Sequence, residues 1–322
     1  MTAQEKSRRI SKNAAPKNVA QEENWRLMDW LYRFPHMNDS TLTALKKSID
    51  EGFRAFTRAY GDTIESFFDP LQYFLIQSER FMTTTPWPII IALIAAIAWF
   101  ASRSWKIVAS AIITLLLIGF FDMWTDTMKT VSMIFVCTVL SIAIGIPIGI
   151  LMSRSDRLQS LVNPVLDVMQ TMPSFVYLIP VVMLLGIGRV PGLIAVVIYA
   201  IPPIIRLTNL GIRLVDKDVL EAADAFGSSN WQRLKNVQMP LALPTIMAGI
   251  NQTIMMALAM VVIASMIGVQ GLGQPVLKAI ANQYFTLGIF NGLAIVGIAI
   301  IFDRVSQAYG KRLQKHLETV HG

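Results

Sequence analysis

Residues 128–152 read MKTVSMIFVCTVLSIAIGIPIGILM, and after Lys129 the run continues for 23 residues without a charge. A helix needs about 20 apolar residues to cross the roughly 30 Å hydrocarbon core of a bilayer, so this stretch reads as a membrane span. Six further runs of the same kind follow outward from it, at 86–102, 105–121, 161–188, 190–208, 244–268 and 286–305. The expected fold class is therefore an all-α polytopic membrane protein with about seven transmembrane helices. The first two runs are separated only by Ser102-Arg103-Ser104 and suggest a tight hairpin. The run 161–188 holds Pro164, Pro173 and Pro180, with Asp167 near its start, and is expected to be kinked or partly interfacial.

Composition agrees. The 322 residues are 54% hydrophobic and 15% charged, with mean hydropathy +0.52, whereas soluble domains carry about a quarter charged residues. Of the 49 charged residues, 23 lie before residue 86. That distribution excludes a soluble enzyme with one hydrophobic core, and it excludes disorder as the main state. A net charge of +7 and a pI near 9.6 do not indicate nucleic-acid binding, because the cations fall mainly in short loops rather than on one basic face. Cys137 is the single cysteine, so no intrachain disulfide forms. Residues 1–30 are polar and do not resemble a cleaved signal.

Orientation follows from the short loops. One side gathers thirteen Lys and Arg residues, from Arg103 to Lys315, and the other only Lys129, Arg189 and Lys278. The richer side is expected to face the cytoplasm. An odd number of spans then puts the C-terminus inside and the long N-terminal tail outside. The tail's own cations do not oppose this, since residues 66–85 contain only Arg80.

Within the tail, Leu42, Leu45, Ile49, Phe53 and Phe56 repeat at helical spacing after Asp39-Ser40, read as a helix cap. Ile64, Phe67, Phe68, Leu71, Phe74 and Leu75 form a second stretch interrupted by Pro70. Two readings stand: a pair of helices on the outer membrane surface, or a helical hairpin packed on the rest of the protein. Residues 1–24 have the composition of a disordered segment.

Several chemistries find no residues to carry them. His36, His316 and His321 have no metal-ligand spacing, so no metal site is expected. No phosphate-binding G-x-x-x-x-G-K-[ST] loop occurs. The glycine-rich run 268–273 has the wrong spacing and reads as a turn after a span. Spans 128–152, 190–208 and 244–268 and residues 286–302 hold no acid and no histidine, which argues against a proton-coupled carrier. Sodium coupling through backbone carbonyls stays open.

The connection between Arg206 and Pro244 is too regular for a linker. Asp218 with Glu221 fits a capping box, a helix follows through Phe226, and Gly227 suits its left-handed end. Ser229 and Gln232 form a second capping box for a helix running to about Val237, with Pro240 and Pro244 ending it. The small Ala222-Ala223 pair leaves a low surface for another protein, or the two helices pack on their own bundle.

Glu221-Ala222-Ala223, then Gly227 after three residues, then Val237-Gln238-Met239-Pro240 after nine more, resembles E-A-A-x3-G-x9-I-x-L-P. That is the cytoplasmic signature of the permease subunits of bacterial ABC importers, with Val237 and Met239 in place of Ile and Leu. A narrower resemblance covers about residues 125–310. Residues 166–180 (LDVMQTMPSFVYLIP), 240–253 (PLALPTIMAGINQT) and 260–268 (MVVIASMIG), with the Gly271-Leu272-Gly273 turn, are similar to glycine betaine/proline betaine importer permeases.

The resemblance implies a type I importer permease fold and no catalysis in this chain. Its implied partners are a second copy of the chain, two cytoplasmic ATPases that bind ATP and Mg, a periplasmic binding protein and the lipid bilayer. The organisation it suggests is a periplasmic tail (1–85), two accessory helices (86–124), a permease core (125–310) containing the coupling loop (209–243), and a cytoplasmic tail (311–322). Asp218, Glu221, Ala222, Ala223, Gly227, Val237, Met239 and Pro240 are the expected ATPase-docking residues. In a homodimer the fourth and sixth spans would line the pathway. The candidates there are Met172, Pro173, Ser174, Phe175, Tyr177, Asn251, Gln252, Thr253 and Ser265. The implied cargo is a quaternary-ammonium solute, with glycine betaine, proline betaine, choline, carnitine and trimethylamine N-oxide all open. An ion-coupled secondary carrier of a small osmolyte is the alternative.

Overall fold

The computed structural model describes residues 36–321; the disorder expected of residues 1–24 falls outside them. The described residues are helical throughout, with no strand. The chain divides into two compact units, Met1–Ala59 and Tyr60–Gly322.

The helices are α1 (Asp39–Thr84), α2 (Trp87–Ser102), α3 (Trp105–Phe120), α4 (Trp124–Arg154), α5 (Asp156–Thr171), α6 (Ser174–Leu185), α7 (Arg189–Ala200), α8 (Pro202–Arg213) and α9 (Lys217–Ala225). After them come α10 (Asn230–Ile267), α11 (Gly273–Asn282) and α12 (Phe285–His321). In the first unit α1 begins one residue after Asn38, whose side chain accepts the Ser40 N–H at 3.4 Å. Asn38, rather than Asp39-Ser40, is thus the cap. In the second unit α1 runs through Pro70 without the expected interruption. One lost backbone bond, about 3 kcal/mol, does not outweigh the helix on either side.

Among the described residues, four helices are long and apolar enough to cross a membrane: α4, α7–α8 taken together (Arg189–Arg213), α10, and α12 over Phe285–Gln314. Two bent pairs add to them by length and composition, Ser66–Thr84 with α2 at 111° and α5 with α6 at 100°. The run 161–188 is therefore not one straight span. Pro173 excludes the preceding residue from the helical region, and Met172 takes φ −66°, ψ 134°. Pro86 marks the break before α2, with φ −54° and ψ 135°.

Two expected ends are absent. The helix starting at Asn230 does not stop at Pro240 or Pro244 but continues into the span. A wide π turn over Arg233–Gln238 precedes Pro240, and Met239 N–H reaches back five residues to Leu234 O. The widened turn makes room for the Pro240 ring, and Pro240 falls in the first turn of the α-helical part, where no N–H is needed. Pro244 sits deeper, as membrane helices tolerate when neighbouring helices pack around the freed carbonyl. Likewise α12 continues past residue 310 through the segment read as a tail.

Small residues let the bundle close. A Cβ on Gly149 of α4 would lie 2.6 Å from Thr208 Cβ and 2.8 Å from Ile205 O of α8. A Cβ on Gly249 of α10 would lie 3.3 Å from the Ile204 backbone. Such contacts supply the dispersion that holds helices together where lipid gives no hydrophobic drive. The main apolar cluster joins α4, α7 and α10, with Ala294 and Ile298 of α12. A second joins Met152, Leu166, Ile201, Ile204, Ile205, Ile212, Leu234, Ala242 and Ile246.

Candidate functional site

The loop between α8 and α10 stands out from the bundle: no residue of α9 is buried. Its first cap is Asp216, whose side chain accepts the Asp218 N–H at 2.9 Å. The expected box of Asp218 and Glu221 is thus displaced, because the helix starts at Lys217 and leaves Asp218 inside its first turn. Asp218 still favours the positive end of the helix dipole there. The other end matches expectation. Gly227 has φ +77°, its N–H bonds Asp224 O at 2.9 Å, and Ser228 N–H bonds Ala223 O at 3.1 Å. This double closure is the Schellman arrangement, which needs a left-handed residue at that position.

The second capping box is complete. Ser229 Oγ accepts the Gln232 N–H at 3.3 Å, and Gln232 Oε1 accepts the Ser229 N–H at 2.9 Å. Arg233 Nη1 pairs with Asp224 Oδ2 at 2.7 Å, tying α9 to the first turn of α10. Leu234, 2% exposed, anchors that turn in the second apolar cluster. Glu221, Ala222 and Pro240 are exposed, while Ala223, Val237 and Met239 are half-buried. Phe226 and Trp231, which the motif does not include, are 92% and 65% exposed at the tip. Their bulk in a charged loop was the available sequence signal.

The other candidates are dispersed. Met172 and Pro173 form the α5–α6 break, beside half-buried Ser174 and exposed Phe175. Tyr177 is buried; its hydroxyl donates to Met169 O across the break, and its ring meets Tyr199 edge-on at 5.9 Å. On α10, Asn251 donates to Asp303 Oδ1 at 3.2 Å and accepts from the Ser306 hydroxyl, so it bonds to α12. Gln252 is exposed, Thr253 is fully buried, and the Ser265 hydroxyl returns to Val261 O at 3.2 Å.

The glycine-rich run after α10 is a turn, with Gly268 at φ +92° and Gly271 at φ +137°. Leu272 N–H is received by Thr130 Oγ1 at 2.9 Å, and Gln270 accepts from Arg189 at 3.2 Å. Arg189 also pairs with Glu79 of α1 at 3.1 Å. Local reading of the sequence missed these bonds, and it missed the ion pairs Asp156–Arg213 and Asp167–Arg206 between α5 and α8.

Comparison with known proteins fits this architecture. Residues 141–315 match the family model of the binding-protein-dependent transport system inner membrane component. The glycine betaine/carnitine transport permease protein GbuB of Listeria monocytogenes serotype 1/2a (strain 10403S) is 48% identical over 70% of this chain and 81% of the relative. ProW of Escherichia coli (strain K12), a glycine betaine/proline betaine transport system permease protein, is 43% identical over 88% and 82%. OpuAB of Bacillus subtilis (strain 168), a glycine betaine transport system permease protein, is 40% identical over 87% and 96%. Inward-facing structures of the MetNI methionine ABC transporter share the fold; one has a TM-score of 0.53 and 20% identity, covering 57% of this chain and 92% of that one. This chain, a multi-pass inner-membrane protein, belongs to the family of binding-protein-dependent transport system inner membrane components.

Proposed function

We propose that this chain is the membrane-spanning permease subunit of an ATP-driven importer for a small quaternary-ammonium solute of the glycine betaine class. One observation carries the reading: relatives named as betaine transport permeases in three organisms match over four-fifths or more of their own lengths. Choline or a related methylamine, a quaternary ammonium without a carboxylate, is the alternative cargo. The chain itself is a transport subunit and not an enzyme; ATP and Mg belong to a partner ATPase.

Three features support the proposed assembly. The capped, ion-paired loop 209–243 offers Phe226 and Trp231 at its tip, a shape suited to insertion in a groove of an ATPase. In that role Asp218, Glu221, Ala222, Ala223 and Gly227 form the docking helix and its turn, and Val237, Met239 and Pro240 its rear wall. Helix α5 carries two apolar stripes. One packs inward through Leu158, Val162, Leu166 and Met169, while Leu161, Val165 and Val168 are 71%, 57% and 55% exposed. The outer stripe suits a second copy of the chain, with Met172 to Tyr177 and Asn251 to Ser265 near the path between copies. The cation asymmetry favours a cytoplasmic loop and C-terminus and an external tail, where a binding protein delivers the solute.

The test is reconstitution. Co-expressed with its ATPase and binding protein, the chain should co-purify as a complex with two copies of the permease. In proteoliposomes it should take up labelled glycine betaine only with ATP. Uptake driven by a sodium gradient, with no ATPase retained, would replace this reading by the secondary carrier.

A further inference from the structure

The α7–α8 span runs from Arg189 to Arg213, 25 residues, or about 36 Å at 1.5 Å per residue. Each end carries an ion pair, Arg189 with Glu79 and Arg213 with Asp156. Arg206 lies seven residues before Arg213, about 10 Å along the helix from it. There it donates through Nη2 to Asp167 Oδ1 of α5, one turn before the Met172-Pro173 break.

This inner pair is not enclosed: the side chains are 35% and 63% exposed. In a chain that spans the bilayer, charged side chains face a bundle interior or a water-filled space rather than lipid. A role confined to joining α5 and α8 leaves two features unexplained. The Asp156–Arg213 pair already joins the same helices, and Arg206 Nε is buried with no hydrogen-bond partner among the described residues.

We infer that Asp167 and Arg206 form a zwitterion-binding pair on the translocation path, taking a small solute that carries both a quaternary ammonium and a carboxylate. The inference rests on the function proposed above. When the path is empty the two charges satisfy one another. A zwitterion enters by exchange: its carboxylate takes the guanidinium fork, including Nε–H, and its ammonium takes the Asp167 carboxylate. One close ion pair becomes two, and no charge is left bare. A plain cation would leave Arg206 unpaired, and a plain anion would leave Asp167 so. A solute that leaves either partner without its counter-charge is the poorer fit, so the site discriminates by the solute's charge pattern. The planar fork suits carboxylate better than an ammonium would.

The test uses the complete permease–ATPase complex in nanodiscs without binding protein, probed with glycine betaine by saturation-transfer NMR. Wild type should bind saturably, with tetramethylammonium and acetate each competing about tenfold more weakly or worse. The double variant Asp167→Asn/Arg206→Gln keeps a hydrogen bond across the gap without charge. It should assemble with its ATPase but lose glycine betaine binding by about tenfold or more. Unchanged binding in that variant overturns the assignment, as does equal competition by the two single-charge probes. If the double variant does not assemble, Arg206→Lys keeps the ion pair and removes the fork, and unchanged binding there overturns it equally. ATP-driven uptake by wild type with its binding protein separates the two levels. Uptake with unaltered variant binding sinks the pair alone, whereas no uptake of any quaternary-ammonium solute sinks the function and the pair together.

Discussion

Gly227 offers a test whose magnitude comes from geometry alone. A Cβ at this position meets nothing within 4 Å, yet φ is +77°. Substitution therefore creates no clash, and its whole cost is conformational. An L-residue with a Cβ pays about 1–2 kcal/mol in the left-handed region, and more when β-branched. That changes the ratio of the native turn to its alternatives by roughly 5- to 30-fold. The helix that depends on the turn has nine residues and no buried side chain, so nothing in its own packing compensates. A graded series follows. Asn tolerates the left-handed region and should stay near wild type, Ala should be intermediate, and Val should be worst. The assay is solute-stimulated ATP hydrolysis alongside uptake in proteoliposomes, with abundance and unstimulated hydrolysis as controls. Both coupled activities should fall in the order Asn, Ala, Val at constant abundance. A Gly227→Val protein that couples normally would refute the docking role of this loop.

Other outcomes separate neighbouring roles. Asp216→Ala removes the observed cap and should cost about 0.5–2 kcal/mol of helix stability, read as faster protease cleavage in the loop. Glu221→Ala leaves that cap intact and should lower coupled ATP hydrolysis without faster cleavage. Gly149→Ala places a methyl against Thr208 and the Ile205 carbonyl; a cost of about 1–3 kcal/mol should appear as a lower melting temperature. In spheroplasts, added protease should remove residues before about Arg80 and spare the C-terminus, and protection of the tail would reverse the orientation. Cysteines placed at Phe175 and Gln252 should react with small thiol reagents in a manner that changes with bound nucleotide, whereas uniform inaccessibility would take them off the path.

Signals contained within one turn were legible. Ser229 and Gln232 lie three residues apart and bond reciprocally as the pattern requires, and Gly227 ends its helix in the left-handed region. Asp216 was missed because two aspartates compete for one cap. The D-x-x-E spacing favoured Asp218, but helix entry depends on how the chain leaves α8 after Arg213, which the local pattern does not contain. The prolines misled in the opposite sense. Pro173 breaks its helix as expected, whereas Pro240 and Pro244 do not, since the π turn and the packed neighbours absorb what an isolated helix could not. The Asp167–Arg206 pair joins residues 39 apart in sequence. Alone, Asp167 read as a charge near a span end and Arg206 as one of the loop cations, and only the fold gives the two a common place.

The loop and the inner ion pair lie on one packed route. Arg233–Asp224 makes α9 and the first turn of α10 move together. The next residue, Leu234, is 2% exposed in the cluster that holds Leu166 and Ile205 at 2% and 3%. Those two are the chain neighbours of Asp167 and Arg206. Interiors at this density do not compress, so a shift of Leu234 must be answered by rotation or sliding of α5 or α8, on which the ion pair sits. The π turn around Leu234 supplies a place where α10 can change register without unfolding, a recurrent use of such turns at functional sites. Contiguity alone does not give a coupling energy. The Gly227 series does, because it weakens the loop at a point far from the cluster. If glycine betaine binding to the nucleotide-free complex is unchanged in Gly227→Val while coupled hydrolysis falls, the loop transmits to a site it does not build. If binding falls too, the docking loop, the cluster and the ion pair are one cooperative element.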